Sequence, residues 1–343
     1  MTDKLNLAII GMGYWGNNFY RISKNLDHKF NLVAIVDTNS SLLNNYSDSG
    51  LNKFSDVNQL IESDIDFDCA IIATNSSNHY ELAKVLFKND IHCLIEKPIT
   101  TNYQEAEELF DLAESNNKTL LVDHTFLYDS SILKLKEIID SKELGNIIHL
   151  SFERTNLGPI RNDTNAAWDL TTHDISILFS LIDDIPKKVD ATSMSFLNEN
   201  IDDIVNISLT FDDIFVTLFS SWLHPEKSRV IKVVGDKKMA IWNGLLPDQE
   251  LKIFDKGLEK NTELSNFPSN IYNVKSGKIE IPFFTKSEPL EQVVLDFYNK
   301  INGFNFNTIN SKELTLNVTK LMEEINYKLI EKIHLIPEFN YIF

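Results

Sequence analysis

Two short segments of the sequence combine residues that could move a proton. In the segment Trp168-Asp169-Leu170-Thr171-Thr172-His173-Asp174, a carboxylate and an imidazole stand four residues apart. If this segment opens a helix, Asp169 and His173 lie on one face, where the histidine can act as a general base near neutral pH. The same spacing could hold a metal ion, but no third ligand is apparent among the other histidines, so we predict no metal site. A buried His–Asp pair without a catalytic role is the alternative interpretation.

The second segment, Glu96-Lys97-Pro98, follows an apolar run that is typical of a strand. In open parallel sheets, ligands bind beyond the carboxyl ends of the strands, so we expect Lys97 to lie where a ligand binds. Pro98 ends the hydrogen-bonded ladder and favours a fixed turn, for which a cis peptide bond is one option. A Glu–Lys surface pair is the alternative interpretation.

A third motif, Gly11-Met12-Gly13-Tyr14-Trp15-Gly16, follows a predicted strand and opens a predicted helix, as a dinucleotide-binding turn requires. Gly11 permits the tight turn, Gly13 lets the backbone approach a pyrophosphate, and Gly16 lets the helix pack on the strand. Asp37 ends the next strand, 21 residues beyond Gly16. Its carboxylate can accept hydrogen bonds from the adenosine ribose hydroxyls and would repel a 2′-phosphate, so we predict NAD rather than NADP. A glycine turn that binds nothing is the alternative.

The elements that must position these motifs alternate between strand and helix in the first third of the chain. Such alternation predicts right-handed crossovers and a parallel sheet. The predicted strands are Leu5 to Ile10, Phe30 to Val36, Asp68 to Ala73, His92 to Glu96 and Thr119 to Val122, and the predicted helices are Asn17 to Leu26, Ser55 to Ile61, His79 to Lys88 and Tyr103 to Asn116.

The pattern changes near Asp123, after which strand-like runs follow one another with few helices between them. We predict a helix from Ser130 to Ser141 capped at Gly145, a hairpin turn at Asp212-Asp213, a long loop from Lys256 to Lys286, and a helix after Ser287 with Pro289 in its first turn. The predicted strands are Ile147 to Arg154, Val189 to Phe196, Ile204 to Phe211, Phe215 to Trp222, Val230 to Val234 and Met239 to Trp242, and a last helix runs from Lys312 to Ile333.

These elements predict an α/β fold class followed by an α+β part. Residues 1–123 form a Rossmann domain with a doubly wound parallel sheet, and residues 124–343 form a substrate domain with a mostly antiparallel open sheet. One face of such a sheet is available for contact between subunits, so we expect a homodimer or homotetramer.

Composition excludes several classes of partner. The chain has 343 residues with 50 acidic and 32 basic side chains, a formal net charge of −18, which disfavours nucleic acids and anionic membranes.

The two cysteines, Cys69 and Cys93, lie in apolar runs and are expected to be buried, reduced thiols. We find no signal-peptide pattern and no apolar stretch of membrane-spanning length, so we expect a cytoplasmic protein.

Together these motifs resemble the Gfo/Idh/MocA family of oxidoreductases across essentially the whole chain. The residues that carry the resemblance are the glycine turn, Ala73-Thr74-Asn75 through His79, Glu96-Lys97-Pro98 and the Asp169–His173 pair. The family usually has proline after the threonine of the second motif, whereas Asn75 and Ser76 stand here. The resemblance implies that Gly11, Gly13, Tyr14, Trp15, Gly16, Asp37, Thr74, Asn75, His79, Glu96 and Lys97 bind the cofactor.

A narrower resemblance is to the bacterial sugar-nucleotide branch of this family, which acts on UDP-N-acetylglucosamine or its uronic acid at C3 in surface-polysaccharide pathways. It is carried by Gly13 to Gly16, Asp123 to Tyr128, and Arg154 to Arg161. The mechanism that the family resemblance implies has Lys97 hydrogen-bonding the reacting sugar hydroxyl, His173 removing its proton, and Asp169 orienting His173. Hydride passes to the nicotinamide of NAD.

Two arginines, Arg154 and Arg161, flank a Gly-Pro turn near the Asp169–His173 segment, and guanidinium groups suit diphosphate oxygens. We therefore expect both to contact the substrate, with surface ion pairs as the alternative. The residues that we expect to line the sugar pocket are His124, Tyr128, Asn156, Asn165 and Trp168. An NAD-dependent inositol or polyol dehydrogenase, or a non-catalytic NAD-bound sensor, are the alternative functions.

Overall fold

The computed structural model describes residues 4–158, 160–161, 164–199, 201–260, 272–304 and 309–333. The chain divides into two compact units. Unit 1 comprises Met1–Tyr128 and Ser287–Glu323, and unit 2 comprises Asp129–Lys286 and Glu324–Phe343. This division differs from the continuous split after residue 123 that the sequence suggested, because a late helix packs into the core of unit 1, as described below.

Unit 1 contains a parallel sheet of six strands in the order β3-β2-β1-β4-β5-β6. This is the strand order of a doubly wound dinucleotide-binding fold, so the predicted Rossmann class is confirmed. Strand β3 is absent from the sequence-based prediction, because it is only three residues long. The strands are β1 (Leu5–Ile10), β2 (Phe30–Val36), β3 (Asn52–Phe54), β4 (Cys69–Ile72), β5 (His92–Glu96) and β6 (Leu120–Asp123).

The helices that cover this sheet begin at polar caps. Asp56 and Asn102 accept hydrogen bonds from the backbone N–H groups of Asn58 and Glu105, which satisfies donors in the first helical turn. The glycine turn ends directly in the first helix, which begins three residues earlier than predicted. The helices are α1 (Tyr14–Asn25), α2 (Ser40–Leu43), α3 (Val57–Ile61), α4 (His79–Lys88) and α5 (Tyr103–Ser115).

Unit 2 contains an eight-stranded sheet in the order β14-β13-β12-β11-β7-β10-β9-β8. Its neighbouring strands are antiparallel except for β7 and β10, which pair in parallel, so the predicted mostly antiparallel sheet is confirmed. The strands are β7 (Ile147–Leu157), β8 (Lys188–Met194), β9 (Ile204–Thr210), β10 (Phe215–Ser221), β11 (Leu223–Gly235), β12 (Met239–Asn243), β13 (Leu251–Lys260) and β14 (Tyr272–Glu280). The predicted turn at Asp212-Asp213 is closed by a 2.9 Å bond from the Phe211 N–H to the Ile214 carbonyl.

Part of the predicted loop from Lys256 to Lys286 is strand, so that prediction was wrong for residues 256–260 and 272–280 and is confirmed for residues 281–286. β13 runs to Lys260 and pairs antiparallel with β14, from Ile253 opposite Glu280 to Lys260 opposite Tyr272. Residues 261–271 of the predicted loop lie outside the described residues. The strands are rich in Lys, Asp and Glu, which hides the alternation of apolar residues on which strand prediction depends.

The helices of unit 2 are α6 (Ser130–Asp140) and α7 (Thr172–Leu181), and α7 is preceded by a π-helical turn at Ala167–Thr171. The prediction that Gly145 caps α6 was wrong. The helix ends at Asp140, and Lys142 takes the left-handed conformation (φ 58°) two residues after it, whereas Gly145 shapes a separate turn.

Two late helices are α8 (Pro289–Ile301) and α9 (Lys312–Ile333). Glu288, not the expected Ser287, occupies the N-cap position of α8, and Pro289 lies in its first turn as predicted. The buried side chains Val293 and Phe297 of α8 pack in one core with the strands and α1 of unit 1. This burial places the segment in unit 1, although it lies far along the chain from the parallel sheet.

Both cysteines lie in the core of unit 1. Cys69 and Cys93 are free and buried, as expected, and burial raises the pKa of both thiols. Across the described part of the chain, none of the helices combines the length and the apolar character needed to cross a lipid bilayer.

Candidate functional site

The glycine turn is shaped by two glycines that admit no side chain. Gly11 has φ 92°, and a Cβ there would lie 2.7 Å from the carbonyl carbon of Ala73. A Cβ on Gly16 would lie 1.8 Å from the Gly11 carbonyl oxygen. Close packing of the turn on β4 and of α1 on the turn therefore requires glycine at both positions.

Gly13 differs from its two neighbours in the motif. Its backbone is extended (φ −70°, ψ −156°), and a Cβ on it would meet no described atom within 4 Å. No contact within the described structure thus demands glycine at this position, whereas close approach of an external group would. Gly13 is also the N-cap of the twelve-residue helix α1, and no side chain caps the N–H groups of the first turn from this position. These features fit the pyrophosphate of a dinucleotide.

Asp37 connects the end of β2 to the glycine turn. Its Oδ2 accepts a 2.7 Å hydrogen bond from the Met12 N–H, and its Oδ1 accepts a 2.8 Å bond from the Asn39 N–H. An ionised carboxylate has lone pairs for about four hydrogen bonds, so both oxygens retain capacity for ribose hydroxyls. The aromatic residues of the turn diverge: Tyr14 is 79% exposed, and Trp15 is partly buried against the unit 1 core.

His79 ties together the turns that follow β4 and β5. Its Nδ1 lies 2.9 Å from the Pro98 carbonyl oxygen and its Nε2 lies 3.0 Å from the Thr74 carbonyl oxygen, and the Lys97–Pro98 peptide bond is cis. Burial lowers the pKa of His79, and the side chain is fully enclosed. This histidine therefore joins the two turns, and its expected contact with the cofactor stays a prediction. Thr74 is half-buried and Asn75 is exposed on the same turn.

The carboxyl ends of β5 and β6 bring three predicted residues together. Glu96 and Asp123 are register partners across the two strands, and both are buried. Lys97 follows Glu96 and interacts electrostatically with both carboxyls and with His124. Burial, with a smaller contribution from Lys97, lowers the pKa of His124 to about 3, so this imidazole is neutral at pH 7.

Tyr128 has a use other than the sugar contact that we expected. Its hydroxyl donates a 2.6 Å hydrogen bond to Asp296 Oδ2 of α8 and accepts a 3.2 Å bond from Asn310 Nδ2. Burial and the Asp296 carboxylate raise the pKa of this phenol. All three residues belong to unit 1, where they join the segment after β6 to the late helices.

In unit 2, the Asp169–His173 segment opens a helix, the condition set for the predicted pair, and its first turn is a π-helical turn that runs into α7. Single π turns occur frequently at functional sites. Asp169 Oδ2 accepts a 3.1 Å hydrogen bond from Trp222 Nε1, and its Oδ1 lies 3.6 Å from Arg161 Nη1. His173 is half-buried four residues later. Orientation of His173 by Asp169 stays a prediction.

Trp222 was missed by the sequence analysis. It is buried directly after β10, and its indole N–H fixes the Asp169 carboxylate. A single tryptophan at a strand end carries no motif, so only the fold could identify it as a partner of Asp169.

Arg154 is a buried ion-pair residue, and this differs from the diphosphate contact that we expected. Its Nε and Nη2 donate 3.0 and 2.6 Å hydrogen bonds to Asp174 Oδ1, and both side chains are at least 96% buried. Burial raises the pKa of Asp174, and Arg154 opposes that rise. Arg161 is more open, with 36% of its side chain exposed, and stays a candidate substrate contact. Pro159 of the intervening turn lies outside the described residues.

The other predicted pocket residues of unit 2 take part in local structure. The Asn156 amide donates to the Gly158 carbonyl. Asn165 Oδ1 accepts a 3.0 Å bond from the Trp168 N–H at the start of the π turn, and its amide donates to Asn326 at 3.2 Å. Trp168 is 5% exposed. These contacts shape the turn that carries Asp169. The described residues contain no group of three or more His, Cys, Asp or Glu side chains placed to hold a metal ion.

Both units contain segments that match models of one protein family. Residues 5–124 match the model described as an oxidoreductase family with an NAD-binding Rossmann fold, and residues 132–241 match the GFO/IDH/MocA C-terminal domain. Together these segments span about two thirds of the chain.

Individual relatives agree with this family but are distant. UDP-N-acetylglucosamine 3-dehydrogenase of Acidithiobacillus ferrooxidans is 22% identical over 245 residues, which cover 68% of this chain and 70% of that one. The solved structure of that enzyme covers 96% of this chain and 98% of its own, with a TM-score of 0.77 and 19% identity. The WlbA dehydrogenase of Bordetella pertussis, solved with NADH and UDP-GlcNAcA, has a TM-score of 0.78 at 16% identity, with 96% and 98% coverage.

At these identities, the likeness to solved structures shows the fold. Against several curated oxidoreductases, the chain spans 38% to 50% of their length. The cofactor is given by the family model of residues 5–124, which describes an NAD-binding Rossmann fold, and it agrees with the NADH in the WlbA structure. The chain belongs to the Gfo/Idh/MocA family of oxidoreductases, with NAD as its cofactor.

Proposed function

We propose that this protein is an NAD-dependent dehydrogenase that oxidises, or in reverse forms from the ketone, a secondary hydroxyl at C3 of a UDP-N-acetyl-hexosamine or its uronic acid in surface-polysaccharide biosynthesis. The observation that carries the proposal is the π turn of unit 2, where Trp222 and Arg161 approach the Asp169 carboxylate one helical turn before His173. The likeness to two UDP-sugar dehydrogenases supports the substrate class.

The residues of this chain divide the chemistry as follows. Bound NAD supplies a nicotinamide ring that accepts the hydride from the sugar carbon. Lys97 donates a hydrogen bond to the reacting hydroxyl and stabilises the negative charge that develops on its oxygen. His173 accepts the hydroxyl proton as a general base, and Asp169 orients the imidazole and stabilises its charged form.

Arg161 is the arginine that we propose for the substrate diphosphate. Its guanidinium is partly exposed, whereas Arg154 is enclosed with Asp174. Moving Arg154 out of its ion pair would leave a buried carboxylate uncompensated, which is strongly unfavourable. Arg161 can bind two phosphate oxygens at once through its planar group.

A panel of substrates tests the proposed function. UDP-N-acetylglucosamine, its uronic acid, UDP-glucose and free inositol are each mixed with NAD, and NADH is followed by its absorbance. We expect turnover of a UDP-N-acetyl sugar and little of inositol. Turnover of inositol alone would replace the proposal with a polyol dehydrogenase, and no turnover of any sugar would favour a non-catalytic sensor.

Matched variants test the assigned roles. Lys97→Met and His173→Asn are expected to lower kcat by roughly 100- to 10,000-fold. Lys88→Met and His28→Asn alter an exposed lysine and an exposed histidine of unit 1 and are expected to leave kcat unchanged. Arg161→Met is expected to raise KM for the UDP-sugar by about tenfold or more without changing KM for NAD, because it removes a charge-assisted hydrogen bond. Full activity of Lys97→Met or His173→Asn would contradict the mechanism.

We also propose that the protein forms a homodimer or homotetramer through the eight-stranded sheet. One face of the sheet is buried in unit 2 by residues such as Leu150, Phe152, Val216 and Leu218. The side chains that alternate with them along each strand form the other face, called here the outer sheet face. Its residues are Ser151, Glu153, Asp190, Thr192, Asn206, Ser208, Thr217, Phe219, Val230 and Lys232, all half-buried or exposed in the single chain. A two-fold axis through such a face would pair it with itself.

A further inference from the structure

Two buried carboxyl groups lie next to one another inside unit 1, at the ends of β5 and β6. Glu96 ends β5 and Asp123 ends β6, and the two residues are direct register partners in the parallel sheet. Glu96 is 5% exposed and Asp123 is 1% exposed. The side chains are within hydrogen-bonding reach of each other. Neither carboxyl has been given a role by the proposed chemistry beyond the cofactor contact expected of Glu96.

One oxygen of each carboxyl is satisfied in a conventional way. The Thr125 hydroxyl donates a 2.6 Å hydrogen bond to Asp123 Oδ1, and the Lys97 backbone N–H hydrogen-bonds to Glu96. The remaining oxygens, Glu96 Oε1 and Asp123 Oδ2, are buried and have no hydrogen-bond donor among the described residues. Buried acceptors are rarely left in this state, because an unsatisfied buried polar group is costly. A single proton held between the two carboxyls supplies the missing donor.

The charges around the two carboxyls balance one negative charge on the pair and not two. Lys97 is the cation whose interaction favours the ionised form of both carboxyls. His124 is buried and neutral. His79 directs its ring nitrogens to Pro98 and Thr74, and Tyr128, which also senses Asp123, directs its hydroxyl to Asp296.

Burial is the largest influence on the pKa of both carboxyls, and it raises both values. Burial, followed by the Asp123 carboxylate, raises the pKa of Glu96 well above its usual range. Burial also raises the pKa of Asp123 to about 6, against the favourable bonds from Thr125 and Glu96. Two adjacent carboxylates in such a site behave as one titrating pair, in which the first ionisation opposes the second.

We propose that Glu96 and Asp123 share one proton at neutral pH, and that this singly charged pair is a positioning device for Lys97. The shared proton closes the ends of β5 and β6 into one rigid unit, and the single remaining negative charge balances the Lys97 ammonium. The consequence for Lys97 rests on the proposed function, in which this ammonium stabilises charge on the sugar oxygen. The existence of the shared proton is independent of the proposed function.

Counting protons on unfolding tests the pair without any substrate. A raised folded pKa contributes stability that is present at low pH and lost as the pH rises through that pKa, because the folded state then holds a proton that the unfolded state has released. The full-length protein is compared with Glu96→Gln/Asp123→Asn between pH 7 and 8. The unfolding equilibrium constant of the natural sequence is expected to rise about tenfold more per pH unit than that of the variant.

Each other outcome of this comparison overturns the shared proton. No difference in slope means that both carboxyls are ionised, and a hundredfold difference per pH unit means that both are protonated. The control is Glu62→Gln/Asp64→Asn, which neutralises an exposed Glu–Asp pair in the same unit and is expected to leave the slope unchanged.

If the double variant does not fold, infrared spectroscopy of the natural sequence answers the same question. A protonated carboxyl has a carbonyl stretch separate from that of a carboxylate. We expect such a band in the folded protein at pH 7.5, shifted by ¹³C labelling of glutamate or aspartate and altered in Glu96→Gln. Absence of the band from the folded protein would overturn the proposal.

The pH profile of kcat/KM tests the effect on Lys97. Glu96→Gln keeps one negative charge and replaces the shared proton with an amide N–H, so its alkaline limb is expected to match that of the natural sequence. The double variant has no negative charge at this place, and its alkaline limb is expected to move to lower pH. An unmoved limb would overturn the positioning role. If no sugar is oxidised but one proton is counted, the proposed function fails and the shared proton stands.

Discussion

At the scale of single residues, Gly13 separates binding from folding within one motif. Gly11 and Gly16 are required by contacts inside unit 1, whereas a Cβ on Gly13 would meet no described atom. We therefore expect Gly13→Ala to weaken NAD binding by tenfold or more, because the new methyl group would occupy the space where the pyrophosphate must approach the backbone. Titration of NADH fluorescence measures this affinity.

The thermal midpoint of Gly13→Ala is expected to stay within about 1 °C of that of the natural sequence without cofactor, since no contact is disturbed. Gly16→Ala is the matched control. Its Cβ would lie 1.8 Å from the Gly11 carbonyl oxygen, so this variant should lose folding stability as well as affinity. Unchanged NADH affinity in Gly13→Ala would remove the argument for a pyrophosphate at this turn.

The sequence predicted the position of Asp37 better than it predicted which residues Arg154 and Tyr128 contact. Asp37 lies where its spacing from the glycine turn predicted, because that spacing is set by one helix and one strand. The sequence did not predict the partners of Arg154 and Tyr128, because the residues that they contact are distant or unmarked in the sequence. Asp296 lies 168 residues beyond Tyr128, and Asp174 was interpreted only as the end of a catalytic motif. A single sequence does not show which acid faces which base.

At the scale of elements, apolar patterning predicted the strands that are buried on both faces. β1, β2 and β5 have the predicted bounds, because continuous apolar runs bounded by polar turns define them. The hairpin of β13 and β14 was missed, since its charged residues conceal the alternation. The π turn was also missed: it depends on how Asn165, Trp222 and Arg161 hold a segment whose composition fits an ordinary helix.

Helix α8 provides a prediction at this scale. Phe297 is fully buried in the same core as Leu7 and Ile9 of β1, although nearly 290 residues separate them in the chain. Phe297→Ala is expected to lower the free energy of unfolding by about 3 to 5 kcal/mol, since it removes a large buried side chain and leaves a cavity. Urea unfolding measures the loss.

Hydrogen exchange locates the effect of that substitution. Amides of β1 and β2 should lose protection in Phe297→Ala, because their core contains the deleted ring. Gln292→Ala alters a half-buried polar residue on the same helix and should leave the exchange of these strands unchanged. Normal protection of β1 in Phe297→Ala would contradict the assignment of α8 to the core of unit 1.

At the scale of the whole molecule, the acidic composition constrains how copies of the chain can meet. A net charge of −18 repels a second copy at long range, so an interface must have little net charge of its own. The outer sheet face satisfies this condition, because the uncharged residues Ser151, Thr217 and Phe219 occupy its middle. The positive charge of Lys232 partly offsets the negative charges of Glu153 and Asp190 on the same face.

A charge placed at the centre of this face should separate the copies. Phe219 is half-buried on β10, which lies in the middle of the five strands that carry the outer sheet face. In a two-fold interface, Phe219→Arg brings two like charges together and removes two aromatic contacts, so we expect a dimer or tetramer to become smaller by light scattering after size exclusion. Phe283→Arg is the control, since Phe283 is 89% exposed and lies outside the strands of the sheet. A monomeric natural sequence, or an unchanged mass for Phe219→Arg, would show that this face is not the contact between subunits.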